Sequence, residues 1–275
     1  MAAHYYYFIA GLPDLFLDKK RNVPSFVEFM TEAEEAVTRN DRELLKAIRL
    51  PFDNVNVIAE MEASATAFDG RGNFSEDEIT AAVKGNGDLP EYLTAFIAAF
   101  REARPLYPDV SWRDQLNRLF YETMCTHENR FLREWFTFEL NVRNLLTFIA
   151  LRKGFEHLTN ASWTSVIGTN EPANMLRRSV GSEVDITTLF PQAEEVFALA
   201  ERSAVDCEKS IDELRWRVLD ELLPFDFFLA ETILATSLKL IMVERWMRLD
   251  AEEGERKFER LIEDLSVTAG KMVNV

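Results

Sequence analysis

The sequence predicts an all-α fold. Three observations carry that expectation: helix-capping signals recur along the chain, apolar residues return every three or four positions, and residues that build hairpins are scarce. Only 10 Gly and 9 Pro punctuate the 275 residues. A hydrophobic content of 47% supplies a sizeable core, and the 28% of charged residues supplies the solvated faces of helices.

Taken in order, the aromatic run Tyr5–Ile9 reads as a short strand, the one place where a strand is expected. Ser25, followed three residues later by Glu28, is a capping box, in which each side chain satisfies a backbone N–H of the first turn. Phe26, Phe29, Met30, Ala33 and Val37 then fall on one helical face. Asp41 is read as the cap of a short helix through Leu44, Leu45 and Ile48 that Pro51 ends. Val57 to Phe68 is periodic again, and Asp69-Gly70-Arg71-Gly72-Asn73 breaks it. A second capping box, Ser75 with Glu78, opens a short helix that Gly85-Asn86-Gly87-Asp88 closes.

Pro90 suits the start of the next helix, through Leu93, Phe96, Ile97 and Phe100, which stops before Pro105 and Pro108. Ser111 with Asp114 begins the longest helical territory, running to Gly154 with a bend at Thr126–Asn129. Residues 160–182 are the least regular, so a subdomain seam within an otherwise single domain is expected near 160–190. Pro191 opens a long helix that runs to Pro224, and two further helices cover 226–249 and 252–265.

Charge narrows the function. The net charge of −16 repels phosphate backbones and anionic headgroups, so nucleic acid is not an expected partner. Against that background Arg130 to Lys153 holds five basic residues and two acidic ones, read as an ion-paired helix or a face for an acidic partner. Two distant cysteines, Cys125 and Cys207, make neither a disulfide scaffold nor a metal knuckle. The amino terminus lacks a basic start and an apolar stretch, and the most apolar segment, 227–243, carries Glu231 and Lys239. A cytoplasmic protein without membrane insertion is expected.

Catalytic and cofactor motifs are not found. Neither common phosphate-binding loop is present, so no cofactor is expected. Asp69–Phe74 superficially follows a calcium loop, but Arg71 takes a ligand position and Thr80 stands where the bidentate Glu belongs. His127-Glu128 lacks the second histidine of a zinc helix. A helical enzyme of unknown chemistry would have to hold Cys125 or His127 in a deep pocket.

Three stretches carry a resemblance. Tyr5 to Leu15 and Lys239 to Trp246 resemble the two ends of an uncharacterised bacterial family encoded in V-type ATPase operons. Phe138 to Leu146, with Arg152-Lys153-Gly154, is similar to the recurrent helix of the C subunit of V/A-type ATPases, known as the d subunit in eukaryotes. The segment from Glu231 to Arg245 is a weaker echo of the same helix. The resemblance implies a multi-helix funnel built from similar helical units. It implies the task of a central-stalk adapter, not an enzyme, which links the rotor shaft to the membrane ring during ATP-driven proton or sodium transport. The protein would then sit at the inner membrane through its complex. The motif positions are Glu139, Asn141, Arg143, Asn144, Arg152 and Gly154, serving either as interface or as buried hydrogen-bonding groups that hold helices together. The alternative within this reading is an assembly or regulatory factor of the same ATPase.

Overall fold

The computed structural model describes residues 3–17, 23–153, 164–179, 185–202 and 204–249. Among these the chain is all-helical, and no strand is present. The helices are α1 (Tyr6–Ala10), α2 (Phe26–Ala36), α3 (Arg39–Met61), α4 (Glu76–Val83), α5 (Glu91–Arg101), α6 (Trp112–Met124), α7 (Arg130–Lys153), α8 (Glu171–Arg178), α9 (Ala193–Leu199), α10 (Ala204–Leu222) and α11 (230–249). The chain divides into two compact units, one from Met1–Val37 with Phe228–Val275 and one from Thr38–Phe227.

In the first unit the segment around Tyr5 meets the residues just before α11. Tyr5 N–H donates to Phe228 O at 2.8 Å, and the Tyr6 ring lies 4.6 Å from that of Phe228. The Tyr5–Ile9 segment is therefore not a strand: no ladder forms among the described residues, and the chain turns into α1, with Ile9 N–H donating to Tyr5 O. In α2 the Ser25–Glu28 capping box forms, and the expected stripe of Phe26, Phe29, Met30, Ala33 and Val37 is buried. A further first-turn donor, Phe26 N–H, reaches the Glu244 carboxylate on α11 at 2.6 Å. Helix α11 contributes Ile233, Leu234, Leu240 and Val243 to the core.

The second unit is organised around α7, which packs against α6, α8, α9 and α10, while α3 packs on α4 and α5 on α6. Its helix starts are set by small polar caps: Thr38, Ser75, Ser111 and Asn170 each accept a backbone N–H. The Ser75–Glu78 capping box forms as expected, and the break at 126–129 separates α6 from α7.

Two helices differ from expectation. Helix α3 does not end at Pro51 and is capped by Thr38, with Asp41 supplying the N–H that the Thr38 hydroxyl accepts. An interior proline costs about 3 kcal/mol, and the burial of Ile48, Val57 and Ile58 on either side of it offsets that cost. The same helix stops at Met61, before the periodic residues Ala65 and Phe68. Conversely, Pro191 does not open one long helix but two, because Glu201-Arg202-Ser203 has no apolar residue to continue the stripe between Leu199 and Ile211. The expected helix over 252–265 lies outside the described residues.

Candidate functional site

Helix α7 buries polar residues that hold other segments to it. Asn144 has no exposed surface, and its side chain binds the peptide of Ile167 twice: Nδ2 donates to Ile167 O at 2.7 Å and Oδ1 accepts Ile167 N–H at 3.0 Å. An asparagine amide has one donor edge and one acceptor edge, so it imitates the backbone of a neighbouring strand. One turn earlier, Asn141 Oδ1 accepts Nδ2 of Asn170, the residue that caps α8. Arg143 Nη1 donates to Ser165 O at 2.9 Å, and Nη2 pairs with Asp114 on α6 at 2.5 Å. Asp114 also accepts the Ser165 hydroxyl. The segment 165–170 is thus pinned to α7 and led into α8.

Helix α3 does the same to the loop before α4. Asn56 Nδ2 donates to Asp69 O and Asn56 Oδ1 accepts Asp69 N–H, both at 2.9 Å. One turn earlier, the Asp53 carboxylate accepts Asn73 N–H at 2.8 Å, Asn73 Nδ2 at 2.7 Å and Phe74 N–H at 3.2 Å, directly before the Ser75 cap. Each clamp is a long helix carrying polar residues at i and i+3, followed by a returning segment and a short capped helix that packs back on the long one. In both, glycine follows the pinned residue, as Gly70 and Gly168. Gly168 has φ +87, and a Cβ there would come within 3.0 Å of Leu140 Cδ2.

A Cβ at Gly72 would collide with Asp53 Oδ1. Gly72→Ala is therefore expected to destabilise the chain by about 1–3 kcal/mol, read as a lower denaturation midpoint in urea at unchanged slope.

Electrostatics separate the two clamps. Burial pushes the Asp53 carboxyl up to about 6, against the lowering effect of its hydrogen bonds from Asn73 and Phe74 and of the nearby Arg49 charge. A raised value means that Asp53 favours folding fully below about pH 4 and that this contribution is lost as pH rises through about 6. Relative to Asp53→Asn, the parent chain is expected to gain on the order of 2–3 kcal/mol in unfolding free energy between pH 7 and pH 4. A flat difference between the two chains across that range would sink this assignment.

The α7 clamp is instead tied to an ion-paired cluster. Glu139 receives Arg215 Nε at 2.7 Å and Nη2 at 2.9 Å, and Arg215 Nη1 donates to the fully buried Asp212 at 3.0 Å. Burial opposes the Arg215 charge, but the two carboxylates outweigh it and hold its pKa above the usual arginine value. Tyr121 beside them is pushed up, chiefly by burial and then by the Glu139 charge.

Four of the six motif residues thus hold other segments to α7: Arg143 and Asn144 hold 165–167, Asn141 holds Asn170, and Glu139 holds Arg215 on α10. Arg152 lies apart, exposed, with its guanidinium 5.5 Å over the Phe148 ring. Gly154 lies outside the described residues. Sequence reasoning missed Asp53, Asn56, Asp212 and Arg215. The signal for the first two was the polar pair at i and i+3 with a glycine after the pinned residue, obscured by the proline just ahead of it.

Cys125 and His127 are half-buried. Burial pushes the Cys125 thiol up, away from the thiolate a nucleophile needs, and the His127 imidazole down, with Nδ1 occupied by Asn129 N–H. The Asp69 carboxylate is occupied by Arg71, and among the described residues no group of three or more His, Cys, Asp or Glu is placed to hold a metal ion. No described helix is long and apolar enough to cross a membrane.

A family model described as protein of unknown function (DUF2764) matches residues 1–268. The chain belongs to the DUF2764 family. The match spans both compact units and both clamps of this DUF2764 protein. No curated protein and no solved structure was found to match it.

Proposed function

We propose that this chain is a non-catalytic central-stalk adapter of a bacterial V-type ATPase, akin to the C subunit of V/A-type ATPases, which joins the rotor shaft to the membrane ring. One observation carries the reading: the helix resembling the recurrent C-subunit helix is one of two that build the same helix–clamp–helix unit, α3–α4 and α7–α8. A fold assembled from repeated helical units is what the resemblance requires. The physical task also fits the clamps, because a joint that transmits torque dissipates it wherever a connection bends. Amide pairs that satisfy the backbone of the returning segments stiffen those connections.

In this role the polar motif residues hold the unit together, and the partner surfaces lie elsewhere on the chain. Tagged protein purified from the native host in mild detergent is expected to bring down rotor-shaft and ring subunits in fixed ratio. Recovery of the tagged chain alone, under conditions in which an established stalk component retains the complex, would overturn the reading. Recovery only with incomplete complexes would assign the chain to assembly instead.

A further inference from the structure

A cavity of about 430 Å³ lies in the second unit, between the start of α7, the residues leading into α9 and the end of α10. That volume falls within the roughly 300–1,000 Å³ of small-molecule sites. Its walls are mainly apolar, with Phe138, Phe190, Pro191, Val218 and Leu222 among the lining residues. Among its polar lining, Arg133 is a pure donor, Thr137, Asn141 and Gln192 donate as well as accept, and Glu134 accepts.

The orientation of Asn141 is fixed by its neighbour. Asn170 Oδ1 accepts Ala173 N–H as the cap of α8, so Asn170 Nδ2 is the donor to Asn141, and the atom that receives it must be Oδ1. The Asn141 Nδ2 group then faces away from that bond, on a residue 6% exposed that lines the cavity. An amide donor at the wall of an apolar cavity can serve a ligand acceptor.

The second donor is Arg133. Its Nη1 donates to His127 O at 2.7 Å and Glu128 O at 3.1 Å, which holds the guanidinium at the cavity wall and leaves Nε and Nη2 for another acceptor. The one carboxylate in the lining, Glu134, is paired with Arg130 at 2.7 Å. The cavity is therefore locally cationic in a chain of net charge −16.

We propose that this cavity binds a small amphipathic monocarboxylate, its apolar body between Phe138 and Leu222 and its carboxylate on Arg133 and the Asn141 amide. The site does not depend on the adapter role. Decanoate below its micellar concentration is the probe, titrated calorimetrically into the full chain, with 1-decanol as the control that lacks the charge and requires no variant. Decanoate is expected to bind and 1-decanol to bind at least about tenfold more weakly, the loss that follows from a charge-assisted hydrogen bond. Arg133→Gln is expected to weaken decanoate to the same degree, and Leu222→Trp, which fills the cavity, to abolish binding.

Cys125 lines the same cavity and reports occupancy. In a Cys207→Ser background, decanoate is expected to slow maleimide modification of Cys125. Equal binding of decanoate and 1-decanol, an unchanged rate at Cys125, or binding that survives Leu222→Trp would each overturn the site. Protection of Cys125 by assembly into a larger complex, with no effect of decanoate, would give the cavity to a partner's side chain and overturn it as well.

Discussion

Asn144→Ala is expected to lower the unfolding free energy by about 3–5 kcal/mol, since two backbone groups of Ile167 lose their partners where water cannot replace them. Ile167 is 1% exposed and Asn144 fully buried, so each orphaned group bears its own desolvation cost. Asn144→Asp is expected to be nearly as damaging, because it keeps the acceptor for Ile167 N–H and exchanges the donor for a buried charge. Urea denaturation measures the total loss. Hydrogen exchange at the Ile167 amide locates it, with protection expected to fall in the variant to that of a local opening. The matching change in the other clamp, Asn56→Ala, is expected to cost about half as much, because its bonds to the Asp69 peptide are part-buried where those of Asn144 to Ile167 are buried. Equal losses at the two positions would contradict this difference in burial.

The other large effect is expected at Arg215. Arg215→Ala takes the Arg215 charge away from Glu139 and from the fully buried Asp212, and breaking a buried pair from one side costs about 3–5 kcal/mol. The cost arises from the stranded carboxylates and not from the worth of the ion pair itself. Combining Arg215→Met with Glu139→Gln and Asp212→Asn is accordingly expected to recover most of the stability. A triple variant as unstable as Arg215→Ala would show that packing of the Arg215 stem, not charge, carries the loss. Thermal and urea unfolding of the parent, single and triple variants separate the two.

How much of this was legible in the sequence follows from the range of the interaction involved. Ser25, Ser75 and Ser111 were found as caps because their partners lie three residues away, and α2 was found because its stripe repeats within the helix. Pro51 misled because its local penalty is certain while the burial and clamps that outweigh it come from residues elsewhere in the fold. The break after α9 was hidden by the apolar residues on either side of it.

The candidate site divides in the same way. Glu139, Asn141, Arg143 and Asn144 stood out by resemblance, but what they hold did not: Ile167 lies 23 residues from Asn144, and Arg215 lies 76 from Glu139. Spacing on one helix shows which side chains share a face and not which segment returns to meet them. The joining of the α1–α2 region to the 228–249 segment, through Tyr5 with Phe228 and Phe26 with Glu244, rests on pairs still farther apart. The cavity beside Asn141 is of this kind too, since the end of α6, α7, the residues leading into α9 and the end of α10 form its wall.

The copy number of this chain in the assembled ATPase tests the adapter role most directly. The complex would be isolated through a tag on the rotor shaft and each component quantified by mass spectrometry. One copy per shaft in complexes that hydrolyse ATP is the result the adapter role predicts; its absence from such complexes, or its presence only in incomplete ones, would contradict it.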